Sequence, residues 1–389
     1  MQIKYFLSFV LIFFNIIAFT GGLYTYSIND TENDTEQKFS EPCVVLIEAN
    51  TGTVLYSRNA DVKVSVGTMN KLMTVLLVAE QIKNGKLMLD DTVKASTYAN
   101  TMQGAQIWLM PGEEMSVSDL LKAVIIGNAN DASVALAEKV AYTEDDFVKL
   151  MNSRAKELGM HNTTFTNCNG YRDDSLQVST AYDMALLSAE LSKYDFLTEY
   201  FITWLDYVRG KDTELVNSNI LVKNYNGIVG FKAGYSESSQ NCISAGADRN
   251  GALYIVAALN YKDKDTMFSE SKATLSSGFQ NFQIITPDIP DEIPKNIVVK
   301  NGINKNTDIL ISEQQTIVIP NGTYKNVTYR IILPEYIYAP IAEGDKIGEI
   351  QYYLNDKLLF KSDIISTQNV EDVTFMKAII IILKNVLSF

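Results

Sequence analysis

The sequence predicts an α+β fold in two parts: an antiparallel sheet with helices on both sides over residues 42–275, followed by a small all-β, sandwich-like domain over 285–366. Three observations predict it. Strand-like apolar segments stand near both ends of the first part and enclose stretches of helical period, so the sheet draws on distant pieces of chain. Three prolines between Pro287 and Pro294, in an acidic stretch, mark a boundary. Beyond them the apolar runs are short, with Asn-Gly turns at Asn301-Gly302 and Asn321-Gly322. At 389 residues the chain exceeds the roughly 250 at which single cores stop growing.

In chain order, Met1 to Lys4 offers one cation before an apolar run from Tyr5 to about Leu23. That pattern is an export signal or an uncleaved N-terminal anchor over 1–24, and either places the body outside the cytoplasm. Residues 25–41 are polar and acidic and read as a linker. Val44–Glu48 and Val54–Ser57, joined at Gly52, read as a strand hairpin. From Thr68 to Gln81 the apolar positions Met69, Leu72, Met73, Leu76 and Leu77 recur at helical spacing. A second helix is predicted over Val117–Ile126 with Ser118 as its cap. Asn128 to Asp131 breaks it, and helical period resumes from Ala132 to Val140. A third helix, Glu144–Leu158, stops at Gly159. Gly227–Ala233, Ser239–Ala247 and Ala252–Leu259 read as neighbouring antiparallel strands between glycine-containing turns. In the second part, Asn296–Val299, Gln315–Ile319, Tyr329–Leu333 and Leu358–Phe360 are strand-like.

Residues 369–389 are expected to form an amphipathic membrane-anchoring helix. Wound as a helix, the segment gathers Thr374, Lys377, Lys384, Asn385 and Ser388 on a narrow polar face, and nine large apolar side chains cover the rest. A wide apolar face with lysines on the strip suits a membrane interface. A terminal helix packed on the core is the alternative.

Composition narrows the chemistry. With 47% hydrophobic and 20% charged residues the chain is an ordinary globular one. A net charge of -13 argues against nucleic acid as a partner. Cys43, Cys168 and Cys242 are odd in number and widely spaced, which reads as unpaired, buried thiols. The single histidine, His161, excludes multi-histidine metal chemistry, and no metal or organic cofactor is expected.

Three short motifs carry the function: Thr68-Met69-Asn70-Lys71, Asn128-Ala129-Asn130 and Lys232-Ala233-Gly234. Their order matches S-x-x-K, S-x-N and K-T-G, with both lysines and the last asparagine kept and all three hydroxyl positions changed. Around them stand Ala60-Asp61, Asp131-Ala132-Ser133, Leu158-Gly159-Met160, Ser179-Thr180-Ala181-Tyr182-Asp183 and Asn217-Ser218-Asn219. Together these resemble the D-alanyl-D-alanine carboxypeptidases, the low-molecular-mass penicillin-binding proteins of bacterial cell-wall metabolism, with a β-lactamase-like domain.

The resemblance implies catalytic roles for Thr68, Lys71 and Asn130. Thr68 would be the nucleophile and Lys71, sharing its helix face, the base that takes its proton. Asn130 would hold the substrate backbone. Asn128, Lys232, Ala233, Gly234 and Tyr235 would line the substrate site, with the N–H groups of Thr68 and Tyr235 as an oxyanion hole. The implied ligands are peptidoglycan stem peptides ending in D-Ala-D-Ala, with β-lactams as analogues, at the outer face of the cell membrane.

The departures weaken the implied chemistry. The Thr68 methyl restricts its rotamer. Asn128 is an amide where a hydroxyl would relay a proton to the leaving amine. Ala233 lacks a hydroxyl contact to the substrate carboxylate worth roughly 1.5–3 kcal/mol. Gly104-Ala105-Gln106 replaces an expected Gly-Gly-Ser run. Weak hydrolysis through an acyl-enzyme and muropeptide binding without turnover are both open at this level. A β-lactamase is a poorer third, since no deacylating glutamate is identifiable.

Overall fold

The computed structural model describes residues 40–171 and 176–379. The expected N-terminal signal or anchor and most of the polar linker therefore lie outside the described residues, as does the end of the expected C-terminal helix.

The first part is built on β1 (Cys43–Glu48), β2 (Val54–Arg58), α1 (Lys71–Lys83), α2 (Val117–Ile125), α3 (Asn130–Ala141), α4 (Glu144–Glu157) and α5 (Ala181–Leu191). It continues through β3 (Ile228–Ser236), β4 (Gln240–Arg249), β5 (Ala252–Tyr261) and α6 (Lys264–Asn281). The five strands form an antiparallel sheet in the order β2-β1-β5-β4-β3. The N-terminal strand β1 thus pairs with β5, more than two hundred residues on, and β3 is left as an edge.

Every residue of β1 is buried, which requires cover on both faces of the sheet. Val45 and Ile47 join the large core made with α1 to α5, where Met69, Leu72, Leu76, Leu121, Leu136 and Phe147 meet. Val44 and Leu46 face the other way, against Tyr254, Met267 and Leu275, so α6 seals the second face. Burying side chains of this size stabilises by roughly 1.5–3 kcal/mol each, so the sheet is the rigid base on which β3 presents its edge.

Four details differ from expectation. Gly67–Asn70 forms a 3₁₀ turn, and the α-helix begins only at Lys71, so Thr68 precedes the helix. Its Gly67 has φ +46, a conformation that suits glycine, and the turn tightens the entry. The cap of α2 is Ser116, whose hydroxyl accepts from the Asp119 N–H, while Ser118 lies inside the helix with its hydroxyl 2.9 Å from that of Tyr200. The break after α2 is shorter than expected, because α3 already starts at Asn130. The last helix of this part, α6, runs past residue 275 to Asn281; its apolar positions Met267, Phe268 and Leu275 are too sparse for a clear period.

The second part is β-rich. β6 (Asn296–Lys300), β7 (Asn306–Ile311), β8 (Val327–Ile332), β9 (Tyr336–Tyr338), β10 (Lys346–Leu354) and β11 (Lys357–Ser366) form one sheet in the order β8-β10-β11-β7-β6-β9. Phe282–Ile285 pairs with Ile317–Pro320 as a separate ribbon. Asn301 at φ 60 and Gly322 at φ 76 supply the left-handed residues of the two Asn-Gly turns. A helical turn starts at Phe375, where Phe375 and Met376 are exposed. Among the described residues no helix is long and apolar enough to cross a membrane.

Candidate active site

The three motifs meet where the Gly67–Asn70 turn, the start of α3 and the edge strand β3 come together. Gly234 touches Thr68 directly: a Cβ there would stand 2.0 Å from Thr68 Oγ1. Only glycine at position 234 leaves room for the threonine oxygen. On its far side the turn is held by Gly170, whose added Cβ would lie 1.8 Å from the Gly67 carbonyl oxygen. Beneath it, the hydroxyls of Ser236 and Ser239 crowd the Cα of Gly67. Thr68 is therefore packed against Gly234 and Gly170, with Gly67 before it against the two serines, and its Oγ1 is buried with no hydrogen-bond partner among the described residues.

Lys71 is wholly buried, and its Nζ donates to the Asn169 carbonyl at 2.6 Å. Loss of hydration, and then the charge of Lys232, hold its ammonium well below the usual lysine range. Both causes shift it toward its neutral, proton-accepting form relative to a solvated lysine. The hydrogen bond from Lys71 to Thr68 expected from a shared helix face is not formed, because Thr68 sits on the 3₁₀ turn and Lys71 is drawn to the 164–171 loop. Lys232 is also buried; its Nζ donates to the Val124 carbonyl at 3.1 Å, and burial pushes its pKa down to about 7.

Asn130 opens α3. Its N–H donates to the Ala105 carbonyl at 2.7 Å and its side-chain amide to the Gln103 carbonyl, so the loop that carries the altered Gly104-Ala105-Gln106 run holds it through Gln103 and Ala105. Gly104 lies under the Tyr171 ring, with no space for a side chain. The next residue, Asp131, fastens the same loop by accepting from the Ile107 and Leu109 N–H groups. Asn128 adopts φ 59, a left-handed conformation that asparagine tolerates better than most residues. The side-chain oxygens of both Asn128 and Asn130 are buried without partners, as is Thr68 Oγ1. Unpaired buried polar atoms are rare in folded proteins, and here three belong to one constellation.

The edge strand presents its backbone. The Ala233 carbonyl accepts a hydrogen bond from Ser218 Oγ, a residue outside the sheet, so the in-plane groups of Ala233 face the open edge. Alternate residues of a strand point their N–H and C=O the same way, and Tyr235 presents its N–H on that edge beside Thr68. The Tyr235 side chain is 57% exposed and the Ala233 methyl is buried against the second core.

Sequence reasoning missed Asn169 and Gly170, which have no periodic signal; the Asn167-Cys168-Asn169-Gly170 run shows only turn composition. Cys43, Cys168 and Cys242 are all buried and unpaired.

Comparison with known proteins identifies the family over both parts of the chain. The family described as D-alanyl-D-alanine carboxypeptidase matches residues 30–263, more than half of the chain. The C-terminal domain of penicillin-binding protein 5 matches residues 280–372. The D-alanyl-D-alanine carboxypeptidase DacF of Bacillus subtilis is 33% identical over 381 residues, covering 96% of this chain and 97% of its own. Among solved structures, penicillin binding protein 5 of Haemophilus influenzae is similar with a TM-score of 0.77 at 26% identity, over 87% of this chain and 100% of its own. Penicillin-Binding Protein D2 of Listeria monocytogenes in its ampicillin-bound form is similar with a TM-score of 0.53 at 28% identity, over 61% of this chain and 96% of its own. The chain belongs to the D-alanyl-D-alanine carboxypeptidase family, whose members serve peptidoglycan metabolism.

Proposed function

We propose that this protein binds peptidoglycan stem peptides ending in D-Ala-D-Ala at the outer face of the cell membrane, and removes the terminal D-Ala slowly through an ester on Thr68. The observation that carries the reading is the pairing of a buried, unpartnered Thr68 Oγ1 with a buried Lys71 whose proton is weakly held. In this reading Thr68 Oγ attacks the scissile carbonyl and Lys71 accepts its proton. The Tyr235 N–H, and the N–H of Thr68 expected from the family, receive the developing oxyanion. The C–N bond breaks, D-alanine leaves with a proton, and water hydrolyses the ester. Lys232 supplies positive potential for the terminal carboxylate. β-Lactams would acylate the same oxygen, as the ampicillin-bound relative suggests by analogy.

Asn128, with no hydroxyl to pass a proton to the leaving amine, and Ala233, with none for the carboxylate, support weak turnover. The second reading, muropeptide binding without turnover, is favoured by one observation: Lys71 Nζ is engaged with the Asn169 carbonyl rather than Thr68. Intact-protein mass after exposure to a β-lactam, and separately to a D-Ala-D-Ala depsipeptide, decides between them. The native chain and Thr68→Ser should each gain the acyl mass, and Thr68→Ala should not. A folded native chain without adduct would leave only the binding reading.

The reading includes export by the N-terminal segment 1–24, a linker over 25–41, a catalytic-type domain over 42–275, a small domain over 285–366 and membrane association through residues 369–389. The apolar N-terminal run and the lysine-striped terminal segment support it.

A further inference from the structure

A buried acid stands behind the segment that holds Lys71. Glu144, the first residue of α4, is only 8% exposed. Its Oε2 accepts from the Tyr98 hydroxyl at 2.6 Å and its Oε1 from the Cys168 N–H at 2.9 Å. A carboxylate seated on neutral donors gives up hydration that an apolar residue there would not have to lose. The Cys168 N–H belongs to a stretch whose next three contacts all reach the catalytic turn and α1. The Asn167 carbonyl accepts from the Asn70 amide at 3.1 Å, that of Cys168 from the Thr74 hydroxyl at 2.6 Å, and that of Asn169 from Lys71 Nζ at 2.6 Å. The Cys168 thiol is wholly buried; burial and then Glu144 hold it well above the usual thiol range, while Lys71 acts the other way, so the thiol is within reach of both. Tyr98, half-buried on the short helix Thr97–Asn100, completes a line from the surface through Glu144 to the Lys71 segment.

Resting on the proposed acyl-enzyme reading, we infer that Glu144, supported by Tyr98, is a positioning residue for Lys71, acting through the backbone of Cys168 and Asn169. A neutral amine has two N–H donors and one lone pair. With one N–H fixed on the Asn169 carbonyl, the direction of the lone pair depends on where that carbonyl stands, and Glu144 is what holds the preceding N–H. In the step it serves, the Thr68 oxygen bonds to the acyl carbon and its proton passes to Lys71 Nζ; Glu144 neither gains nor loses a proton. A released strap would let the segment move and water reach the amine, which returns its pKa toward that of a hydrated lysine. The groups that act on Lys71 are Lys232, Cys168 and Asp131, and Glu138 is the acid beside Glu144; all of them stay in place in the variants below.

The rate of β-lactam adduct formation by the full chain, read by intact-protein mass between pH 5 and 9, tests this. Glu144→Ala should acylate about tenfold more slowly or worse at neutral pH, and the acid limb of its profile should move to higher pH. Glu144→Gln keeps an acceptor for the Cys168 N–H and an amide that the Tyr98 oxygen can accept from. It should stay within about threefold of native with the limb in place. Tyr98→Phe removes one hydroxyl and leaves the ring, so it serves where Glu144→Ala fails to fold; its limb should move the same way by less. A folded Glu144→Ala with the native rate, or with an equal loss at every pH, overturns the positioning role alone, as does an unmoved limb in Tyr98→Phe. A native chain that forms no adduct overturns the acyl-enzyme reading, and this inference with it.

Discussion

Lys232 shows how burial sets chemistry at the residue scale. Its ammonium is pushed down to about 7 by loss of hydration, while in the unfolded chain it keeps its proton to roughly pH 10. Between those values the unfolded state binds more protons than the folded one, so stability rises with pH. The slope from this one group reaches about 1.4 kcal/mol per pH unit, and Lys71, shifted the same way, adds to it. Buried thiols such as Cys242, raised to about 11 by burial, act oppositely once unfolded thiols ionise near pH 8.5. The clean window is therefore pH 7 to 8.5. Thermal melts across it should show Tm rising for the native chain and rising less for Lys232→Met; parallel curves would mean Lys232 is fully hydrated. Motif order singles out both lysines as candidate site residues, but their burial was not legible, because hydration is lost only when α2, β3 and the segment around Asn169 close over them.

At the scale of elements, the site depends on close approach between a turn and a loop. Gly170 has φ +71 and abuts the Gly67 carbonyl, so a side chain there is strained in conformation and has no space. Gly170→Ala should cost about 2 kcal/mol or more, as a backbone clash added to an unfavourable φ. It should also displace Thr68 enough to lower acylation by on the order of a hundredfold. Denaturant melts and β-lactam adduct formation read the two effects, and native rates in a folded Gly170→Ala would show that the turn does not depend on this contact. The elements themselves were largely readable: β1, β2, the helix ending at Gly159 and the β3–β5 meander follow the apolar pattern. The cap of α2 and the 3₁₀ entry to α1 were not. Ser116 and Ser118 are chemically alike, and only the chain's path decides which hydroxyl meets a free N–H.

For the whole molecule, one edge strand and one terminal segment define where chemistry and attachment would occur. The sheet is covered on both faces, so β3 has only its edge to offer a ligand. Beyond the second sheet, Val373 N–H donates to the Asn301 carbonyl and Ile303 N–H to that of Glu371, which ties the start of the terminal segment to the Asn301-Gly302 turn. Residues beyond this tie belong to the segment proposed as the anchor, in which Lys377 and Lys384 stand among apolar residues. The chain from residue 25 onward, freed of the apolar N-terminal run, should cosediment with vesicles of phosphatidylglycerol and phosphatidylethanolamine, and further removal of 374–389 should abolish this while leaving adduct formation within twofold. Equal cosedimentation of the shortened chain would show that the segment is not the anchor.

The sequence by itself determined the fold class, the order of most elements and the family, because periodicity of 2 or 3.6 and an ordered set of motifs are local properties that survive without coordinates. Through that order it also proposes the residues of the candidate site. Tertiary structure alone decided that Lys71 turns to Asn169, that Gly234 and Gly170 make room around Thr68, and that Ser218 reaches the edge at Ala233. Each of these joins residues between 15 and 166 positions apart, and contacts of that kind leave no periodic trace; they exist only once the sheet has brought its distant strands together.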